Sequence, residues 1–240
     1  MTAKRILLTR TAPDGEDSVQ RLEQMGFEVI WRPALSSRAI SVDAAQLPGR
    51  CHLIFTSRNG IRFAPLGALR KADHVFCVGQ ATAEAAKLAG YQTIHSANGN
   101  SKDLIRLIGE YEHLPPYPLI HLANDKPRGD IVASLTNVGL NTRLVQVYET
   151  NPAPDFAPTA NAVLTDTNNP CHALLVYSPA AAGILADQCS DAICAFIAQN
   201  GFFVTISEAA AAPLADFADI RLKIAAKPTE DALFRALTTG

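Results

Sequence analysis

Residues 118–148, PLIHLANDKPRGDIVASLTNVGLNTRLVQVY, hold the pattern on which the fold turns. A short apolar run, Leu119–Leu122, leads through a polar turn to Ile131, Leu135 and Val138 at helical spacing. Gly139 follows, and then a second run, Leu144–Tyr148. Neither run alternates apolar with polar residues, which is the mark of strands buried on both faces in a parallel sheet. Residues 5–32, RILLTRTAPDGEDSVQRLEQMGFEVIWR, have the same order of strand, helix, glycine and strand.

Outward from these two stretches the rhythm continues. Further strand candidates are Ile6–Thr9, Val29–Trp31, Leu53–Thr56, Val75–Val78, Leu174–Tyr177, Phe203–Ile206 and Leu222–Ala225. Helical segments lie between them. Val19, Leu22 and Met25 run up to Gly26, and Ile193, Phe196 and Ile197 to Gly201. Ser101 and Thr229 stand where helix caps belong. A βαβα order implies open parallel sheets with helices on both faces.

The chain also repeats itself loosely. Val78-Gly-Gln-Ala-Thr-Ala83 matches Ile206-Ser-Glu-Ala-Ala-Ala211 in character, and Ser101-Lys-Asp103 matches Thr229-Glu-Asp231 at the same offset. Phe55-Thr-Ser57 resembles Val176-Tyr-Ser178. Repeated units imply two similar lobes. A polar stretch near residues 36–48 and the Pro-rich residues 151–158 punctuate the chain. The assembly that satisfies both is discontinuous: residues 1–35 and 151–240 form one lobe, residues 42–146 an inserted lobe, and residues 36–41 and 147–150 the crossovers.

Composition narrows the function classes. The net charge is −2 and basic residues form no block, which speaks against a nucleic-acid partner. An anionic ligand must then be held by local groups. The apolar run near Met1–Arg10 is too short for a signal peptide, and none approaches a membrane span. Five cysteines without a C-x-x-C pair read as free thiols in a reducing compartment, and six scattered histidines give no metal-ligand spacing. No leftover apolar face asks for self-association, so a monomer is expected.

Ligands of open parallel sheets bind where strands end and helices begin. Four junctions are rich in small and hydroxyl residues: Thr56-Ser-Arg-Asn-Gly60, Gly79-Gln-Ala-Thr-Ala83, Ser178-Pro-Ala-Ala181 and Ser207-Glu-Ala-Ala210. Each has a plainer reading. Ser178-Pro179 is also an ordinary helix start, Asn59-Gly60 also suits a hairpin turn, and Ala209–Ala212 also suits close helix packing. Arg10, Arg58, Lys126 and Arg128 follow strands and are either surface charges or carboxylate anchors. Tyr148 is either a core tyrosine or a cleft residue. No nucleophile-base pair, dinucleotide fingerprint or phosphate loop occurs.

At these junctions the sequence resembles the uroporphyrinogen-III synthase family over essentially its whole length. The resemblance rests on Ile6-Leu-Leu-Thr-Arg10, Ile54-Phe-Thr-Ser-Arg-Asn-Gly-Ile61, Val75-Phe-Cys-Val-Gly-Gln-Ala-Thr-Ala83, Val147-Tyr-Glu-Thr150 and the Ser178-Pro179 and Ser207-Glu208 junctions. It implies two flavodoxin-like parallel-sheet lobes joined by two crossing strands. It also implies a cytoplasmic, cofactor-free lyase that closes the linear tetrapyrrole hydroxymethylbilane, inverting ring D through a spiro intermediate. Contact with the preceding pathway enzyme would be transient. Tyr148 matches a tyrosine proposed as an acid, and Thr82 a cleft threonine. Ser57, Asn59, Gly79 and Ala83 match substrate-side positions. Arg10, Thr56, Gly60, Arg128, Ser178 and Ser207 complete the expected binding set. The chain departs from the family at Ala210, where a threonine is frequent, and at Ala123-Asn124, where Arg-Gly is frequent. Two rivals share these features: a non-catalytic module for a small anion, and a sugar-phosphate isomerase or transferase with Glu208 as its base.

Overall fold

The computed structural model describes residues 3–43, 46–65, 67–127 and 129–239. The chain opens with β1 (Lys4–Leu8), α1 (Asp14–Gln24), β2 (Phe27–Trp31) and β3 (Leu35–Ala39). It continues through β4 (Cys51–Phe55), α2 (Arg58–Arg62), α3 (Ala68–Lys71), β5 (Ala72–Cys77), α4 (Gln80–Leu88), β6 (Ile94–Ser96), α5 (Ser101–Gly109), β7 (Leu119–Ala123), α6 (Ile131–Asn137) and β8 (Thr142–Gln146). It closes with β9 (Tyr148–Pro152), α7 (Phe156–Thr165), β10 (Cys171–Val176), α8 (Pro179–Gln188), α9 (Ser190–Ala198), β11 (Phe202–Thr205), α10 (Glu208–Ala211), β12 (Leu222–Ile224) and α11 (Glu230–Thr238).

The chain divides into two compact units, Met1–Ser36 with Asn151–Gly240, and Ser37–Thr150. The first carries a five-stranded parallel sheet in the order β12-β11-β10-β1-β2. The second carries another, β6-β5-β4-β7-β8, also parallel throughout. Counted from its own first strand, each order is that of the other after circular permutation: β7-β8 occupy the places of β1-β2, and β4-β5-β6 those of β10-β11-β12. The sequence repeat between residues 5–32 and 118–148 reflects this equivalence.

Strands β3 and β9 pair with each other. Ala153 N donates to Ala34 O (3.0 Å), Ile40 N to Val147 O (3.1 Å), and the Ser37 and Thr150 hydroxyls meet at 2.9 Å. These partners run in opposite directions, so the pair is antiparallel. The expected strand Leu144–Tyr148 is therefore two strands, broken at Val147, whose N–H goes to Ala123 O (2.9 Å).

Both sheets are covered on both faces, as their apolar strands require. In the first unit, Leu7, Leu174, Val176 and Phe203 face α7, α8 and α9, while Ile6, Leu8, Leu175 and Val204 face α1 and α11. In the second, Leu53, Phe55, Ile120 and Leu122 share a core with Ala83, Ala86 and Tyr148, and Ile54, Phe76 and Leu119 pack with Leu104, Ile108 and Leu135.

Several local expectations are corrected. The α5 helix is capped by Asn100, not Ser101. The Asn100 side chain accepts from Lys102 N (2.8 Å), and Asp103 returns the bond to Asn100 N (2.9 Å), a capping box. Gly26 and Gly139 hold the left-handed geometry of helix ends, with φ of 86° and 87°, but at the end of α9 Asn200 takes it (φ 65°). Gly201 is demanded instead by space, because a Cβ there would lie 2.1 Å from the Phe196 ring. Asn59-Gly60 is helical, as the preferred reading of a helix start there expects and not the alternative of a hairpin turn, since β4 crosses over to its parallel neighbour. The helix reaches only Arg62, before Pro65, and a separate turn, α3, follows.

His121 interrupts the apolar run of β7, fully buried, and burial pushes its imidazole down to about 4. The unfolded chain takes up that proton near the ordinary histidine value. Its contribution to stability, about 3 kcal/mol, is therefore complete above pH 6.5 and is lost as the pH falls towards 4. Urea unfolding across this range will show a fall in stability, and His121→Leu will flatten the slope by about one proton. Gly60 offers a second test. A Cβ there would meet the Leu122 carbonyl oxygen at 2.5 Å, whereas one at Gly79 meets nothing. Gly60→Ala will cost about 1–3 kcal/mol in urea unfolding, and Gly79→Ala less than about 0.5 kcal/mol.

Candidate functional site

In an open parallel sheet, a crevice forms at the carboxyl ends of the two strands whose crossovers leave in opposite directions. In the second unit these are β4, which leads to β5, and β7, which leads to β8. A pocket of about 440 Å³ lies there. Thr56 and Ser57 reach it from the end of β4, Asn124, Lys126 and Pro127 from the end of β7, and Asn100 and Ser101 from the start of α5. Val78 and Tyr148 complete the wall.

Hydroxyl groups dominate, and several are held from behind. Ser57 caps α2, accepting from Gly60 N at 3.2 Å, and its Oγ lies 3.2 Å from the Tyr148 hydroxyl. Tyr148 is nearly buried, its ring 5.4 Å from that of Phe63. Thr56 Oγ1 lies 3.1 Å from His121 Nε2. Lys126 is the charged side chain among the described residues that line the pocket. The first turn of α5 adds the positive end of a helix dipole. The site thus offers oriented O–H donors, one ammonium and a phenol, a set suited to carboxylates and to a single proton transfer. Among the described residues, no group of three histidine, cysteine, aspartate or glutamate side chains is placed to hold a metal.

The remaining expected residues fall elsewhere. Asn59 donates to Ser37 Oγ (3.4 Å), and its buried Oδ1 has no partner among the described residues. Gly60 packs under Leu122. Gly79 begins α4, accepting through its carbonyl from Thr82 N and Ala83 N, and both of those side chains are buried. Ser178 and Ser207 cap α8 and α10, accepting from Ala181 N (3.1 Å) and Ala210 N (3.3 Å). Arg128 lies outside the described residues. Asn100 and His121 were not singled out by the sequence, and Asn124 only as a departure from the family's frequent Arg-Gly. A capping box at Asn100, three residues before Asp103, was the available signal for the first.

The equivalent crevice of the first unit lies between β10 and β1, where charged and aromatic side chains pair with one another. Arg10 pairs with Glu230, donates to Ser18 Oγ (2.9 Å) and lies 4.8 Å over the Tyr177 ring. Glu230 also accepts from Tyr177 (3.1 Å) and from Arg21 (2.6 Å). Burial beside Glu230 pushes the Tyr177 phenol well above its ordinary range, so it stays protonated. Tyr177 holds the position of Thr56, and, counted from the helix caps Thr229 and Asn100, Glu230 that of Ser101, one residue away from the sequence match of Ser101 with Thr229.

The chain's relatives bear on this site. No curated protein matches it. Among solved structures, a mutant uroporphyrinogen III synthase of the extremely thermophilic bacterium Thermus thermophilus superposes with a TM-score of 0.54 at 18% identity, over 98% of this chain and 99% of that one. The uroporphyrinogen-III synthetase of Helicobacter pylori gives 0.59 at 15% identity, over 98% of each chain. At these identities the likeness is one of fold. The family model for uroporphyrinogen-III synthase HemD matches residues 16–235, through both units and every element of the pocket. The chain therefore belongs to the uroporphyrinogen-III synthase family, cyclising lyases of haem biosynthesis.

Proposed function

We propose that the β4–β7 crevice is where this chain acts on hydroxymethylbilane, with Tyr148 as the acid that releases its hydroxyl group. The observation that carries this reading is the Tyr148 phenol, nearly buried at the pocket wall and set 3.2 Å from Ser57 Oγ. Ser57 Oγ already accepts from Gly60 N, and its own hydrogen can go to Tyr148 Oη. That arrangement frees the phenolic proton to point into the pocket.

The chemistry follows. Tyr148 gives its proton to the departing hydroxyl, which leaves as water, and the terminal pyrrole becomes an azafulvene. The substituted carbon of ring D attacks it, forming the spiro intermediate. Fragmentation and recombination invert the ring, and rearomatisation returns a proton to the phenolate. An electron-rich pyrrole expels hydroxide readily, so the larger task is to hold the chain where the less accessible carbon attacks. Lys126, Thr56, Asn124 and the start of α5 hold substrate carboxylates. Gly60, Gly79, Thr82 and Ala83 build the frame behind them. Arg10 belongs to the closed cluster of the first unit.

The chain acts as a monomer in the cytoplasm and meets the preceding enzyme of the pathway only transiently. Five free cysteines, four of them buried, support a reducing compartment.

Purified protein mixed with hydroxymethylbilane, followed by oxidation and isomer separation, will give the type III porphyrin in excess, growing with enzyme concentration. Only the type I isomer would sink the reading, and binding without turnover would leave a non-catalytic anion module. Tyr148→Phe will lower kcat by roughly a hundredfold, the low end for a general acid, and change KM less. Glu230→Ala will lower stability by about 2 kcal/mol, because it removes the carboxylate shared by Arg10, Arg21 and Tyr177, while KM stays within about twofold. A large KM change with unaltered stability would return Arg10 to the substrate.

A further inference from the structure

We propose that His121 is a positioning residue that fixes the Thr56 hydroxyl as a hydrogen-bond donor to a substrate carboxylate. The inference rests on the crevice being the substrate site, and it adds a residue that touches no substrate. His121 lies in mid-β7, opposite Ile54 of β4 and Leu144 of β8, and its side chain has no solvent exposure. Along β4, Ile54 and Thr56 fall on one face of the sheet, which brings Thr56 Oγ1 to 3.1 Å from His121 Nε2. The opposite ring nitrogen, Nδ1, is buried with no partner among the described residues.

A neutral imidazole carries one N–H and one lone pair. Burial keeps His121 neutral near pH 7, so the ring must choose. With the proton on Nδ1, an N–H donor would be buried without an acceptor, and Nε2 would take the Thr56 hydrogen. With the proton on Nε2, the unmatched atom is a lone pair, and Nε2–H donates to Thr56 Oγ1. Orphaned buried donors are the rarer defect, and the Nε2–H form is also the intrinsically favoured one for a free histidine side chain. The second arrangement therefore prevails.

Its consequence reaches the pocket. Thr56 lines the crevice. Once its oxygen accepts from His121, its own hydrogen has no acceptor behind it among the described residues and turns forward as a donor. The opposite tautomer would present lone pairs, which repel a carboxylate. His121 thus sets the polarity of Thr56 from beneath the surface. The capped Ser57 plays the corresponding part for Tyr148 on the neighbouring wall.

The experiment has two arms. Nitrogen-15 NMR of histidine-labelled protein, with His121 assigned by its loss in His121→Gln, reports which nitrogen carries the proton. Nε2–H with a bare Nδ1 between pH 6.5 and 8 is expected. Nδ1–H, or an imidazolium, overturns the proposal, and this arm uses the unaltered chain without substrate. In kinetics, Thr56→Val will raise KM about tenfold or more with kcat little changed, as loss of a hydrogen bond to a charged group requires. Thr56→Ser will recover most of that loss. His121→Leu will also raise KM, His121→Gln, whose amide N–H can donate, will restore much of it, and Thr56→Val will add less on the His121→Leu background. Additive effects, or a KM indifferent to Thr56→Val, overturn the positioning role even if Tyr148→Phe still lowers kcat. Should Tyr148→Phe also leave the kinetics unchanged, the reading of the crevice itself falls.

Discussion

The pairing of β1 with β10 is the constraint from which the architecture follows. Ile6, Leu7 and Leu8 register against Ala173, Leu174 and Leu175, strands separated by most of the chain. Without β10, β1 and β2 form a two-stranded parallel ribbon with the backbone edge of β1 unpaired and its apolar faces uncovered. β10 is central in its sheet, flanked by β1 and β11, so the first unit cannot complete its core until residues 171–176 have arrived. The inserted unit has a shorter version of the same demand, in which β4 waits for β7. Parallel pairings of such range are slow to form because loop closure precedes any gain from contact. The inserted unit, with its closer partners, is the one placed to fold first.

The two sheets are permutations of one plan, and their two crevices are lined by different side chains. In the first unit Arg10, Glu230 and Tyr177 meet in the crevice and satisfy one another. Large side chains with complementary charge meet one another's hydrogen-bonding needs there. In the second unit the equivalent positions hold Thr56 and Ser101, short side chains that leave a pocket, and Lys126 lines it. The backbone supplies a crevice in both cases. Side-chain length and charge pairing set the difference between them.

That distinction marks what the sequence could and could not say. Strands of unbroken apolar residues, such as Leu53–Phe55 and Leu174–Val176, declare themselves, because burial on both faces permits nothing else. β3 and β9 do not. Leu-Ser-Ser-Arg-Ala and Tyr-Glu-Thr-Asn-Pro make a two-stranded ladder that neither sheet covers on both faces, so no apolar pattern marks them. β6, three residues long, falls below the length at which periodicity can be read. Junction residues were legible as helix caps, since Ser57, Ser178, Ser207 and Thr229 all cap through their hydroxyls. Their division between pocket and frame was not, because capping chemistry is the same in both. Arg10 shows the difficulty most sharply. A charge after a strand suits an anion site, and its pairing with Glu230, 220 residues later in the chain, leaves no local mark in the sequence.

A tetrapyrrole with eight carboxylates invites a strongly basic pocket, yet one lysine and several hydroxyls stand among the described residues that line this one. The chemistry explains the economy. The reacting intermediates are cationic azafulvenes, and a dense array of fixed positive charge would oppose them at the distances involved. Neutral donors hold carboxylates without that penalty, provided that their hydrogens already point at the ligand and need not reorganise during the reaction. A hydroxyl on the surface of a pocket rotates freely and satisfies no such condition. In the proposed arrangement the Thr56 oxygen is held at His121, and Ser57, accepting from Gly60 N–H, gives its own hydrogen to Tyr148 and so leaves the phenolic proton to face the pocket. On the proposed reading of this crevice, orientation supplied from the buried layer adds to the charge of Lys126 in holding a polyanion.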